Sequence, residues 1–177
     1  MQIRASAKAV VGALGAGLVL LLWSLQYAAK SDEMPKPTGP VILTITGAIS
    51  RTNAPDRTEF DEAMLEALGT ERITTSSRWV DGKPTFEGVP IRKLLEAVGA
   101  HGSSVTARAL DDYTVDIPIA DFTRYPVLLA LRMNGKALSP REKGPLWIVY
   151  PRDDYPELLD AAVDARWVWQ LKTIDVK

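Results

Sequence analysis

The 177-residue sequence contains no cysteine and a single histidine, His101. The first absence excludes disulfides, thiolate nucleophiles, iron–sulfur clusters and cysteine-ligated zinc. The second excludes a histidine-rich metal site, and His101 itself sits in a Gly-Ala-His-Gly-Ser-Ser stretch that reads as a solvated turn. There is no Gly-x-Ser-x-Gly elbow to pair with a base, so serine-hydrolase chemistry has no support. Gly12, Gly15 and Gly17 cluster inside an apolar run and are no phosphate loop. Acidic residues are missing from the first 30 positions; beyond them, 18 basic residues stand against 22 acidic ones, a net −4. That balance excludes the basic footprint of a nucleic-acid binder. No internal repeat is present, and glycine and proline, at 12 each, suggest neither a fibrous nor a disordered chain.

What is present begins with an uncharged apolar run, Ala9 to Leu25, preceded by Arg4 and Lys8 and followed by Lys30, Asp32 and Glu33. Residues 1–30 therefore read as an export signal or a membrane anchor. The leading basic residues place the remainder outside the cytoplasmic membrane, in the periplasm of a Gram-negative cell. Gln26 and Tyr27 disfavour an Ala-x-Ala-type cleavage site, which keeps an uncleaved anchor in play. Residues 31–40, with three prolines, read as a tether, and residues 41–177 as one domain.

Within that domain, Val41-Ile-Leu-Thr-Ile-Thr-Gly47 alternates as an opening strand. Phe60, Met64, Leu65 and Leu68 share a helical face that closes on Gly69, and Ile91 to Val98 repeats the arrangement between Pro90 and Gly99. Val105 to Leu110 and Tyr113 to Ile119 flank an Asp111-Asp112 turn, and Val127 to Met133 runs into Asn134-Gly135, a strong hairpin signal. Leu146 to Tyr150 and Leu171 to Val176 complete the strands, so the expected class is α+β with more strand than helix.

The order of several phrases is more specific than any one of them: Phe60-Asp61, Trp79-Val-Asp-Gly, Phe86-Glu-Gly-Val-Pro-Ile-Arg-Lys-Leu-Leu95, Met133-Asn-Gly-Lys-Ala-Leu138, Gly144-Pro-Leu-Trp-Ile-Val-Tyr-Pro151 and Trp169-Gln-Leu-Lys-Thr-Ile-Asp-Val176. Together they resemble the oxidoreductase molybdopterin-binding domain of the sulfite-oxidase superfamily, from about Pro40 to the end. The resemblance implies a sulfite-oxidase-type fold, with a mixed β-sheet or barrel-like core and short helices. In the enzymes of that superfamily a cysteine ahead of the Gly-Val-Pro phrase binds molybdenum. Here the matching stretch is Ile73-Thr-Thr-Ser-Ser-Arg-Trp79, where Thr75 or Ser76 stands nearest the missing sulfur and a hydroxyl is no soft ligand.

Small cysteine-free members of this fold look like periplasmic pterin-binding regulators of cyclic-di-GMP signalling. That likeness implies a non-catalytic sensor that binds a reduced pterin (a tetrahydropterin), holds no molybdenum, and relays occupancy to the periplasmic region of a membrane-bound signalling partner. The alternative is a molybdopterin-dependent oxidoreductase subunit without the usual cysteine, and a third is a degenerate domain that bridges proteins. A pterin asks for a flat apolar slot and for a carboxylate facing its 2-amino and ring N–H donors. Trp79 is the expected stacking residue, Asp112 the carboxylate, and Tyr113 its neighbour. Thr75, Ser76, Arg78, Arg132 and Arg152 are the further polar candidates, and Trp169, with Trp167 beside it, suits a half-polar rim.

Overall fold

The computed structural model describes residues 34–177. Leu43 and Ile45 alternate with Thr44 and Thr46, so β1 (Leu43–Gly47) buries one face and leaves the other partly wet. It runs parallel to β10 (Leu171–Val176), with Ile45 opposite Ile174, at the centre of a five-stranded sheet. β2 (Arg57–Phe60) forms one edge of that sheet; β5 (Ser104–Ala109) and β6 (Thr114–Pro118) continue it on the other side of β10.

A second sheet orders β3 (Glu71–Thr74), β4 (Thr85–Pro90), β7 (Leu128–Met133) and β8 (Lys136–Ala137), with β9 (Trp147–Val149) also on β7. The Asn134-Gly135 turn joins β7 to β8, and both residues have positive φ, 51° and 76°, as a tight hairpin of this kind requires. The expected barrel-like core is corrected here, because neither sheet closes. A barrel needs partners on both edges of every strand. β2 and β6 end the first sheet, β3 ends the second, and β7 gives its far edge to two short strands, β8 and β9. One isolated bridge, Trp147–Trp169, joins β9 to the segment entering β10 and so stitches the two sheets at a tryptophan seam.

The helices are short. α1 (Glu62–Ala67) starts later than the apolar periodicity suggests, because Phe60 is a buried strand residue and Asp61 is the cap, its carboxylate accepting from Met64 N at 2.8 Å. The same carboxylate accepts from the Thr38 and Gly39 amides, and these backbone donors hold Asp61 below the usual carboxylate range. α2 (Ile91–Ala97) buries Ile91, Leu94 and Leu95. Gly88, shortly ahead of that helix, lies within β4. A Cβ there would sit 2.0 Å from the Leu129 carbonyl oxygen of β7, so only glycine permits the pairing. α3 (Ile119–Arg124) and α4 (Ala161–Asp164) were not visible as periodic patterns.

The expected export signal or anchor, residues 1–30, lies outside the described residues, as does the start of the tether. Among the described residues no helix is long and apolar enough to cross a membrane. The expectation of an inner-membrane anchor, with an N-terminal segment in contact with the membrane, therefore rests on residues 1–30 alone and draws no support from the described domain.

Candidate ligand site

The tryptophan seam opens into a pocket of about 180 Å³. Trp79, Trp167 and Trp169 wall it, with Tyr113 and Asp111 from the β5–β6 turn and Asp164 from the end of α4. Trp79 lies 5.6 Å from Trp167 and 5.5 Å from Trp169 between ring centroids, and the second pair is edge-on. Behind them Trp147 and Trp167 are fully buried, and Phe86 meets Trp147 edge-on at 5.3 Å. The inner rings are core, and Trp79 and Trp169, each only partly buried, form the wall that a ligand would touch.

Local chemistry sets each wall in place. Ser77 Oγ accepts from the Trp79 and Val80 amides, a hydroxyl-closed turn that fixes Trp79 after β3. Asp160 accepts from Ala162 N at 2.8 Å and so starts α4, which delivers Asp164 one turn later. The Tyr113 hydroxyl donates to the Ala165 carbonyl at 2.8 Å, tying the β5–β6 turn to the far wall. Lys143 Nζ lies 4.5 Å from the centre of the Trp169 ring, a cation over its face.

A polar tie holds the pocket from behind. Asp121 of α3 accepts from the Tyr150 hydroxyl at 2.9 Å and from the Arg166 guanidinium beside Trp167. Burial, reinforced by the Asp121 charge, pushes the Tyr150 hydroxyl far above its ordinary range, so it stays a neutral donor. Tyr150 in turn stacks on Trp167 at 6.5 Å.

Asp164 is 6% exposed and lies at ion-pair distance from Arg78 (2.5 Å) and Arg152 (3.6 Å). The Arg152 contact is too long for a hydrogen bond and the Arg78 contact lacks the angles of one, so both Asp164 oxygens, Arg152 Nε and Trp167 Nε1 are buried without a directional partner. Buried polar atoms are normally satisfied, so these exceptions, together with Trp147 Nε1 in the core behind, make the pocket the candidate binding site.

The sequence candidates therefore divide. Trp79, Tyr113 and Trp169 line the pocket, and Arg78 and Arg152 converge on its carboxylate. Thr75 and Ser76 do not reach it: the Asp153 amide donates to Thr75 Oγ1, while Ser76 N and Oγ both donate to Asp153, which also pairs with Lys83. Asp112 projects from its turn with φ of 66° and meets Arg108, and it is the preceding Asp111 that lines the pocket. Arg132 pairs with Glu62 and Glu66 of α1.

Asp164 was missed. The signal that could have found it is Asp160-Ala-Ala-Val-Asp164, a capping residue followed by helix formers, ending three residues before Trp167. A second hollow, about 500 Å³ between Met34–Thr38 and α1, is almost wholly apolar, and its Asp61 is already fully bonded. Among the described residues no group of acidic or histidine side chains is placed to hold a metal ion.

The sequence matches the family described as oxidoreductase molybdopterin binding domain over residues 57–175. No curated protein matches it. Among solved structures, the fold is similar to that of the sulfane dehydrogenase SoxCD from Paracoccus pantotrophus, with a TM-score of 0.56 and 18% identity. The match covers 81% of this chain but only 39% of that one, so the present chain spans about two fifths of its length.

These findings correct the expectation of a non-catalytic sensor. The matched family is described as an oxidoreductase domain and its group is a molybdopterin, so the absence of a catalytic cofactor no longer follows from the missing cysteine. Neither match is to a signalling protein, and the expected membrane-bound cyclic-di-GMP partner is given up with the sensor.

Proposed function

Because the chain belongs to the oxidoreductase molybdopterin-binding domain family, we propose that it is the molybdopterin-binding module of an oxidoreductase, gripping its cofactor by the pterin alone. The observation that carries this reading is the tryptophan-walled pocket with a buried, directionally unpartnered carboxylate on its wall. Ligand pockets commonly run to about 300–1,000 Å³. A hollow of about 180 Å³ suits a fused-ring head and leaves the rest of a larger molecule outside.

The residues present fit the pterin part of the group. Trp79 and Trp169 offer apolar faces for a flat ring and exclude water from it, Asp164 offers acceptors to ring N–H donors, and Tyr113 closes the rim. Arg152 offsets the charge of Asp164 from behind. The sequence offers no thiolate to molybdenum, so the protein holds the group through the organic ligand. When bound, a molybdopterin supplies two-electron redox chemistry; the chain's own part is to bind it, orient it and keep its pterin dry.

Protein isolated from a molybdopterin-producing host should release an oxidised, fluorescent pterin on denaturation, at close to one per chain, with molybdenum detected by elemental analysis of the native sample. Trp79→Ala should lose that pterin while keeping the far-UV spectrum of the folded domain. Native protein that carries no pterin and gains no thermal stability from added pterins overturns the reading, since a ligand of the native state must raise stability as ln(1 + [L]/Kd).

A further inference from the structure

Asp164 stands apart from every other acid in the domain. Its carboxylate is on the pocket wall, yet both oxygens are closed to solvent and neither receives a hydrogen bond. What covers it is charge without alignment: Arg78 Nε on one oxygen and Arg152 Nη1 on the other. The two arginines differ. The Arg152 side chain is 13% exposed and held, whereas that of Arg78 is 55% exposed and has solvent to swing into. Trp79, next in the chain, need not follow it, because the Ser77 turn fixes its backbone.

Resting on the pterin reading above, we infer that Asp164 selects the 2-amino and ring N–H edge of the pterin, and that the Arg78 guanidinium is a placeholder that leaves when this edge arrives. The chemistry is an exchange of like for like. A guanidinium and the 2-amino pyrimidinone edge both present two N–H donors on either side of one carbon, the fork that a carboxylate accepts from. In place of a misaligned ion pair, the ligand gives Asp164 two directional bonds. Arg152 remains to offset the charge. Arg78 is then a competitor of the ligand and not one of its contacts, which reverses the expected sign of its mutation.

The test titrates the full chain with pterin and with lumazine, the same bicycle carrying a 2-oxo group in place of the amine, following quenching of tryptophan fluorescence. The native protein should prefer pterin by at least about tenfold, because lumazine leaves the carboxylate facing an oxygen. Asp164→Asn, whose amide turns a donor NH2 as well as an acceptor oxygen toward the ligand, should lose that preference. Arg78→Ala should bind pterin tighter, by about three- to tenfold, since a competing state is removed. Arg78→Ala alters an exposed side chain and decides the matter even if Asp164→Asn does not fold. Equal affinity of the native protein for the two ligands, or weaker pterin binding by Arg78→Ala, overturns the inference and leaves the pterin slot standing. Binding of neither ligand overturns the slot, and the inference with it.

Discussion

Residues 75–79 join two regions that treat their polar atoms in opposite ways. At one end Thr75 and Ser76 are closed off: amide, hydroxyl, carboxylate and ammonium groups of Thr75, Ser76, Asp153 and Lys83 satisfy one another. At the other end Trp79 faces a pocket whose Asp164 and Trp167 Nε1 lack directional partners, as does Nε of Arg152 beside Asp164. The first region is where the family resemblance puts the metal's cysteine, and there the chain has built an internal clasp. The second leaves buried polar atoms without directional partners. A binding function is therefore read from incompleteness at the pocket, and the hydroxyls at the cysteine position read as structure.

The largest effect that would break this contrast is expected at its buried floor. Trp167→Ala removes a 2%-exposed ring packed on Trp79, Trp147 and Tyr150, and should cost about 3–5 kcal/mol in urea unfolding, with loss of pterin binding. A smaller cost would mean that the tryptophan seam tolerates collapse and is no rigid mould.

Asp153→Ala undoes the clasp and should cost about 0.5–1.5 kcal/mol, because it removes both Ser76 hydrogen bonds at a site that water can reach, while pterin affinity stays within about twofold of native. A large fall in affinity would make the clasp part of the site and erase the distinction. The clasp also has a pH signature. The Ser76 hydroxyl, then Lys83, holds the Asp153 carboxyl at about 2, below its ordinary 3.8. A carboxyl depressed by folding stabilises the fold above its unfolded pKa, and the contribution fades as pH falls through the folded value. Native stability should thus drop between about pH 4 and pH 2 more steeply than that of Asp153→Asn, measured by thermal melts across that range.

The smallest effect is expected far from both regions. Arg132→Ala removes pairs to Glu62 and Glu66 and should change stability by no more than about 1 kcal/mol, with pterin affinity unaltered. A loss of binding would extend the site across the second sheet.

Much of this was legible before folding. Alternation in Leu43–Gly47 and Leu171–Val176 announces the two central strands, and Asn134-Gly135 announces the hairpin. The short edge strands β2 and β3 were not legible, because Arg57–Phe60 and Glu71–Thr74 are too brief and polar to show a period, and their partners alone make them strands. In the pocket, Trp79 and Trp169 stand out by residue type. Asp164 does not, since one acid among 22 is anonymous until α4 sets it beside Arg78 and Arg152. Asp111 and Asp112 are equivalent as letters, and only the folded turn sets Asp111 and not Asp112 on the pocket wall.

By itself the sequence determined the α+β class, the family, and the exclusion of any protein thiolate, because composition and the order of turn and strand signals survive without coordinates. Tertiary structure alone decided that the sheets stay open, that Thr75 and Ser76 serve Asp153, and that a buried carboxylate stands at the pocket wall. Each of these depends on groups dozens of residues apart along the chain, such as Ser76 with Asp153 and Arg78 with Asp164, meeting within hydrogen-bond or ion-pair reach. No local pattern encodes such a meeting, which is fixed only when the two sheets pack and the tryptophan seam closes between them.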